Sequence, residues 1–342
     1  MKTGGYQRAP EAGITGPGPV GLRERIALLW DWLVAKAVPW ELRWWEAALM
    51  RLFFALLVYF ETFPPVKERF ATQPRPNGLA EWGFDFTFFA DPQLYELLSG
   101  IGVVALAFYV LGVLPVLCLP YLAWFSIATK TLANSQGGIS HSYQMVSLIL
   151  LAQAIVALWC FIAGLRRGDR GALRLTSCLV TGGRLDRFGL YYTQAVIVAC
   201  YVTAGITKLI HSGGMWLWNT PYIVKDLVKT DRQNFYSQLN EGGAEVAYVG
   251  FILEHPMLAR VLFSPGLLLE LAAVLALFGR GWSFWVGVAL ISMHLGIDLV
   301  MGLNFKIFEL TVLIFLVNLP WWAVVAGRRV AGARSGDCRA LK

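Results

Sequence analysis

Long apolar runs without a formal charge alternate along this chain with short polar stretches, as in 97–129, 142–165 and 188–207. A helix needs about 20 apolar residues to cross a bilayer, and these runs reach that length. Strands that cross a membrane would instead show shorter segments with alternating polarity. The pattern therefore predicts an all-α fold, a polytopic transmembrane helix bundle with about eight spans, at 47–64, 94–113, 115–132, 142–165, 189–210, 265–279, 282–303 and 308–326. The break between the second and third spans is placed in GVLPVLCLP, where Pro115 and Pro120 interrupt helix hydrogen bonding.

Residues 1–20 form a Gly/Pro-rich tail, expected to be flexible. In 21–40 charges are interleaved with Leu, Ile and Trp at helical spacing, which predicts an interfacial amphipathic helix rather than a cleavable signal. The transmembrane domain then covers 45–327 and a basic tail 328–342. The segment 211–264 is the longest between spans, and it is too amphipathic for a bare linker. Hydrophobic residues make up 57% of the chain and charged ones 15%, which sets it apart from soluble domains.

The net charge of +7 is read as topology, not as affinity for nucleic acid. Eighteen of the 29 lysines and arginines fall on the side of the termini and nine on the other, so the positive-inside rule puts both termini in the cytoplasm. A bacterial inner membrane is the expected location. The five cysteines are scattered with no C-x-x-C pair, so neither a disulfide framework nor a metal site is expected.

A charge at mid-membrane costs about 2.5–3.5 kcal/mol on insertion scales, so polar residues in spans call for a reason. The candidates are Arg51, Tyr143, Gln144, Gln153, Gln194, Lys208, Glu270, His294 and Asp298, with His141 at a span entrance. His141, Lys208, Glu270 and His294 come from four spans, and the topology puts all four toward the outer face, with Glu270 early in its span. That is the signature of a polar pocket opening to the outer leaflet. Each residue also has a plainer reading. Lys208 could snorkel to the interface, His141 could belong to a loop or cap, His294 could bond a carbonyl or Asp298 one turn on, and Glu270 could pair with any nearby base.

The segment YTQAVIVACYVTAGITKL resembles the helix of vitamin K-dependent γ-glutamyl carboxylase that carries its active lysine, with Ala204, Gly205, Lys208 and Leu209 fitting A-G-x-x-K-L and Trp216 fitting a tryptophan just beyond. GISHSYQMVSLILLAQ is similar to the family's N-H-S-Y segment, with His141, Ser142 and Tyr143 matching and Ser140 in place of Asn. GLLLELAAVLALF and FWVGVALISMHLGI resemble a later helix pair, with Glu270 at an acidic position and His294 at a histidine. The likeness runs in order from Glu46 to Pro320 and matches the horizontally transferred transmembrane domain that the carboxylase shares with many bacterial proteins.

The resemblance implies an enzyme that uses a reduced quinone (vitamin K hydroquinone or a menaquinol-type relative) with O2 and CO2 as co-substrates. In it Lys208 is the base, His141 orients it or binds the developing oxyanion, and His294 supports. Ser142, Tyr143, Gly205, Trp216 and Glu270 line the quinone site, and no metal takes part. Oxygenation of the hydroquinone to its epoxide then drives carboxylation of a glutamate or another carbon acid. A lysine works as a base near neutral pH only where desolvation favours its neutral form. The expected partners are membrane lipid, the quinone and a peptide or partner protein at the outer face, without nucleic acid. The chain ends shortly after its last span, where the carboxylase carries a large lumenal domain that binds propeptides, so substrates of that kind are not expected. The other open reading is a non-catalytic quinone- or lipid-binding protein that assists export or maturation of a partner.

Overall fold

The computed structural model describes residues 42–63, 85–134, 141–166, 184–238, 248–301, 303 and 305–335. The chain divides into two units, 1–38 and 39–342. The first of these, with the tail and interfacial helix expected over 1–40, lies outside the described residues, as do 336–342 and the Arg-rich segment 167–183.

The described residues are helical, without a strand. The helices are α1 (Trp44–Thr62), α2 (Pro92–Leu111), α3 (Pro115–Asn134), α4 (His141–Arg166), α5 (Arg184–His211), α6 (Trp216–Asn219), α7 (Val224–Gln238), α8 (Tyr248–Glu254), α9 (Pro256–Ala272), α10 (Arg280–Met301), α11 (Lys306–Val312) and α12 (Leu319–Ser335). Six are long and apolar enough to cross a membrane, and the α11–α12 pair, bent by 45°, makes up to seven. The chain is an integral membrane protein. Helix α1, the first expected span, is not among the seven and carries Glu46, Arg51 and Glu61. Large apolar side chains such as Ile155, Trp159 and Leu299 point out of the bundle, where lipid rather than water covers them.

Local chemistry sets the helix ends. The Asp91 carboxylate accepts from the Gln93 and Leu94 amides at 2.9 and 3.3 Å, with Pro92 at the first helical position. Gly112 closes α2 in the left-handed conformation at φ 68°. The α2–α3 break thus falls at 112–114, within the expected GVLPVLCLP, but Pro120 lies inside α3 and does not interrupt it. A proline removes one backbone donor, a loss that packed membrane helices tolerate. The same holds for Pro265, expected at the start of a span. The helix begins at Pro256 and runs through it, so Glu270 is near the end of α9 rather than early in its helix.

Helix α5 is the hub. It packs on α4, α9 and the 3-10 continuation Ala273–Phe278 of α9, and hydrogen-bonds to α10 and to the π-helical turn Leu313–Val317. A π turn leaves carbonyls without helical partners. Gln194 Nε2 donates to Phe315 O at 2.7 Å and Ser283 Oγ to Leu316 O at 2.9 Å, which resupplies two of them. Gly287 lets α10 reach this turn, since a Cβ there would meet Val317 Cγ2 at 2.9 Å and the Val317 amide nitrogen at 3.3 Å.

The segment 216–254, expected as part of an amphipathic connection, folds as α6, a 3-10 turn (Thr220–Ile223), α7 and α8. Val224, Leu227, Ile252 and Ala259 form a small core there, separate from that of the bundle. Around it the Lys225 ammonium is 5.2 Å from the Tyr222 ring centroid and the Arg260 guanidinium 5.0 Å from that of Trp218. Exposed aromatics beside cations match the chemistry of a membrane–water interface.

Candidate functional site

Lys208 lies in the last turn of α5 and Glu270 near the end of α9. Gly205, one turn before the lysine, allows the two helices to close up. A Cβ at that position would meet Leu271 Cδ2 at 3.0 Å and Glu270 Cβ at 3.3 Å. At this spacing Lys208 Nζ reaches Glu270 Oε1 at 2.5 Å. The glutamate side chain is 7% exposed and the lysine 33%, so the pair spans the boundary between the bundle interior and a hollow beside it.

That hollow measures about 360 Å³ and is lined by Thr207, Lys208, His211, Ser212, Trp216 and Asn219. The Trp216 ring centroid is 5.4 Å from Lys208 Nζ, a cation–π contact across the turn that follows α5. The ammonium is therefore turned onto a carboxylate and an indole.

Tyr201 sits seven residues before Lys208, two turns back along α5, and its hydroxyl is 2.8 Å from His294 Nε2 on α10. His294 is buried and lies tilted against Phe305 and Phe308, with ring centroids at 4.6 and 5.8 Å. Its partner is thus Tyr201 and not Asp298, which is exposed. Sequence reasoning passed over Tyr201, although Gln194, Tyr201 and Lys208 recur every seven residues and lie on one stripe of α5.

His141, Ser142 and Tyr143 form the first turn of α4, and their side chains lie outside the described set. The backbone still fixes their level. Gln153 Nε2 donates to Thr193 Oγ1 at 2.9 Å, and the rings of Trp159 and Phe188 pair at 5.5 Å, so α4 and α5 run antiparallel. Continuing that register brings the first turn of α4 level with the Gly205 turn of α5.

Three polar atoms here are buried without a partner: Glu270 Oε2, Trp216 Nε1 and His294 Nδ1. Buried polar groups are normally satisfied, so the orphaned indole N–H in the wall of the hollow and the free oxygen of the carboxylate paired with Lys208 mark places for a ligand or water. Oε2 wants a hydrogen-bond donor, and the indole N–H wants an acceptor. A flat head bearing a hydroxyl and a ring oxygen supplies both, and the lysine–glutamate contact gives a proton a path between nitrogen and carboxylate. Among the described residues no group of three His, Cys, Asp or Glu is arranged to hold a metal ion.

In comparisons with models of protein families, with curated proteins and with solved structures, the chain matches none.

Proposed function

We propose that this protein is a membrane enzyme of the vitamin K-dependent carboxylase kind. It would deprotonate a reduced quinone and couple the quinone's oxygenation to carboxylation of a carbon acid on an acceptor at the outer face. The observation that carries this reading is the Lys208–Glu270 pair at 2.5 Å, half in the bundle and half in a hollow, with an unpartnered carboxylate oxygen and an unpartnered indole N–H beside it. When bound, the hydroquinone would supply the four electrons that reduce O2, one oxygen leaving as water and the other staying in the epoxide.

The protein's own groups have definite tasks. Glu270 takes a proton from the Lys208 ammonium through Oε1, and the amine freed in this way takes the proton of a hydroxyl placed at the hollow. Glu270 Oε2 and Trp216 Nε1 fix the ring's orientation. His294, held by Tyr201, offers Nδ1 at the buried end. With α1 counted as an eighth crossing, the charge asymmetry supports an orientation with both termini in the cytoplasm, in which the site opens outward.

The direct lysine–glutamate contact also suits a non-catalytic quinone- or lipid-binding protein, because an ion pair across two helices can hold a pocket in shape without any reaction. Purified protein given a hydroquinone, O2 and labelled bicarbonate separates the two readings when epoxide and fixed label are followed independently. The enzyme reading expects epoxide formation that Lys208→Ala abolishes with expression nearly unchanged. Hydroquinone binding without epoxide from the wild-type protein would leave only the second reading.

A further inference from the structure

A second buried polar site lies at the opposite ends of these helices. Arg51 of α1 donates from Nη1 to Asp186 Oδ1 of α5 at 2.5 Å, with side chains only 11% and 8% exposed. The pair borders a cavity of about 60 Å³ that is also lined by Tyr109, Gln153, Gly112, Gly189 and apolar side chains. The polar neighbours are already committed, since the Tyr109 hydroxyl donates to Gln153 Oε1 and Gln153 Nε2 to Thr193 Oγ1, both at 2.9 Å. What remains is specific. Arg51 Nε and Nη2, the two donors along one edge of the guanidinium, are buried without a partner, and so is Asp186 Oδ2.

Two parallel donors on a fixed planar edge match two oxygens of an oxyanion. An unsatisfied carboxylate oxygen next to them rejects a bare anion and accepts one that brings its own O–H. On the scale where a water takes about 10–15 Å³, the cavity has room for roughly the heavy atoms of hydrogencarbonate. We propose that the Arg51–Asp186 cavity binds a small oxyanion that keeps one proton, with hydrogencarbonate the best fit by size: two of its oxygens on the Arg51 edge and its hydroxyl donating to Asp186 Oδ2. The inference goes beyond the Lys208 reading and stands without it.

The test uses the whole protein in detergent, titrated with ¹³C-labelled bicarbonate, phosphate or formate and read by ligand line broadening and calorimetry. Wild-type protein is expected to bind bicarbonate saturably, and formate, which lacks the proton, about tenfold more weakly, the scale of one hydrogen bond to a charged group. Phosphate binding tighter than bicarbonate would keep the proton-bearing chemistry and assign the site to phosphate. Arg51→Lys, which keeps the charge but loses the planar edge, should weaken bicarbonate by about tenfold or more. Asp186→Asn should narrow the gap between bicarbonate and formate, because its amide can donate to the proton-free ion. The wild-type comparison needs no variant to fold. The proposal is overturned if neither bicarbonate nor phosphate saturates, if formate binds as tightly as bicarbonate, or if folded Arg51→Lys binds like wild type.

Discussion

Glu46 and Glu270 are both buried carboxylates facing a base on another helix, yet their surroundings differ in every other respect. Glu46 is fully buried and each oxygen is used twice. Oε1 accepts from Arg280 Nη1 at 2.6 Å and Asn318 Nδ2 at 3.1 Å, and Oε2 from the Arg43 amide at 3.0 Å and Arg280 Nη2 at 3.3 Å. The Arg280 guanidinium also lies 4.8 Å from the Trp321 ring centroid. Three chain segments, around 43–46, 280 and 318–321, meet at one side chain. Glu270 has a single partner, a lysine one-third exposed, and an oxygen with none. A saturated network rigidifies a fold, and a half-satisfied one keeps capacity for something else. The first cluster is a fastener and the second a site.

The sharpest way to break this contrast is to cut the fastener. Glu46→Gln leaves Arg280 buried without its counter-charge, and removing one member of a buried pair costs about 3–5 kcal/mol. The expected result is a large fall in thermal stability in detergent, or little folded protein. If the variant unfolds like wild type, the cluster does not hold α1, α10 and α12 together.

Glu270→Gln should separate the two regions from the other direction. Lys208 reaches solvent, so it can be hydrated when its partner is lost, and unfolding should shift far less than for Glu46→Gln. Epoxidation, in contrast, should fall by about 10²–10⁴-fold, the range of a proton-transfer group. A variant that loses stability as Glu46→Gln does, while keeping its rate per folded molecule, would make Glu270 a second fastener.

The unequal visibility of these clusters in the sequence has a physical cause. Lys208, Glu270 and His294 stand out because each interrupts or ends an apolar run, where a polar group is expensive. Asp186 does not, because RLDR reads as the charged end of a loop, and only the fold brings it to Arg51. Arg280 was counted for topology alone, since nothing local ties it to Glu46, 234 residues away. The span expected over 265–279 begins earlier in the fold, at Pro256. Local propensity forbids Pro265 mid-helix, but packing against α5 and α10 carries α9 through it. The helices of 216–254 were legible only as amphipathicity, because their small core draws on residues from distant turns.

Tyr201→Phe removes one hydrogen bond and leaves His294 Nε2 without its partner. A buried group orphaned this way costs about 1–3 kcal/mol, below the loss expected at Glu46. If His294 serves the site, epoxidation should fall as well and its pH profile should move, because the hydroxyl no longer fixes the ring's tautomer. A stability loss with an unmoved profile would assign His294 to packing alone.

The smallest expected effect on stability comes from a single methyl group. Gly205→Ala would put a Cβ 3.0 Å from Leu271 Cδ2, the far end of a flexible side chain, and 3.3 Å from Glu270 Cβ. Leu271 can move aside, so the cost should stay near the low end of overpacking, about 1 kcal/mol. Gly287→Ala meets the Val317 backbone at 3.3 Å as well as its side chain at 2.9 Å, and backbone gives way less easily, so it should destabilise more. Function should rank the two oppositely. Any separation of α5 and α9 acts directly on the Lys208–Glu270 contact, and a displacement of a few tenths of an ångström weakens proton transfer that depends on a 2.5 Å approach. Gly205→Ala should therefore lose more epoxidation per folded molecule than Gly287→Ala while unfolding at a higher temperature. Parallel losses of stability and rate in both variants would mean that the spacing at Gly205 serves packing, and the distinction between site and fastener would fail at this helix pair.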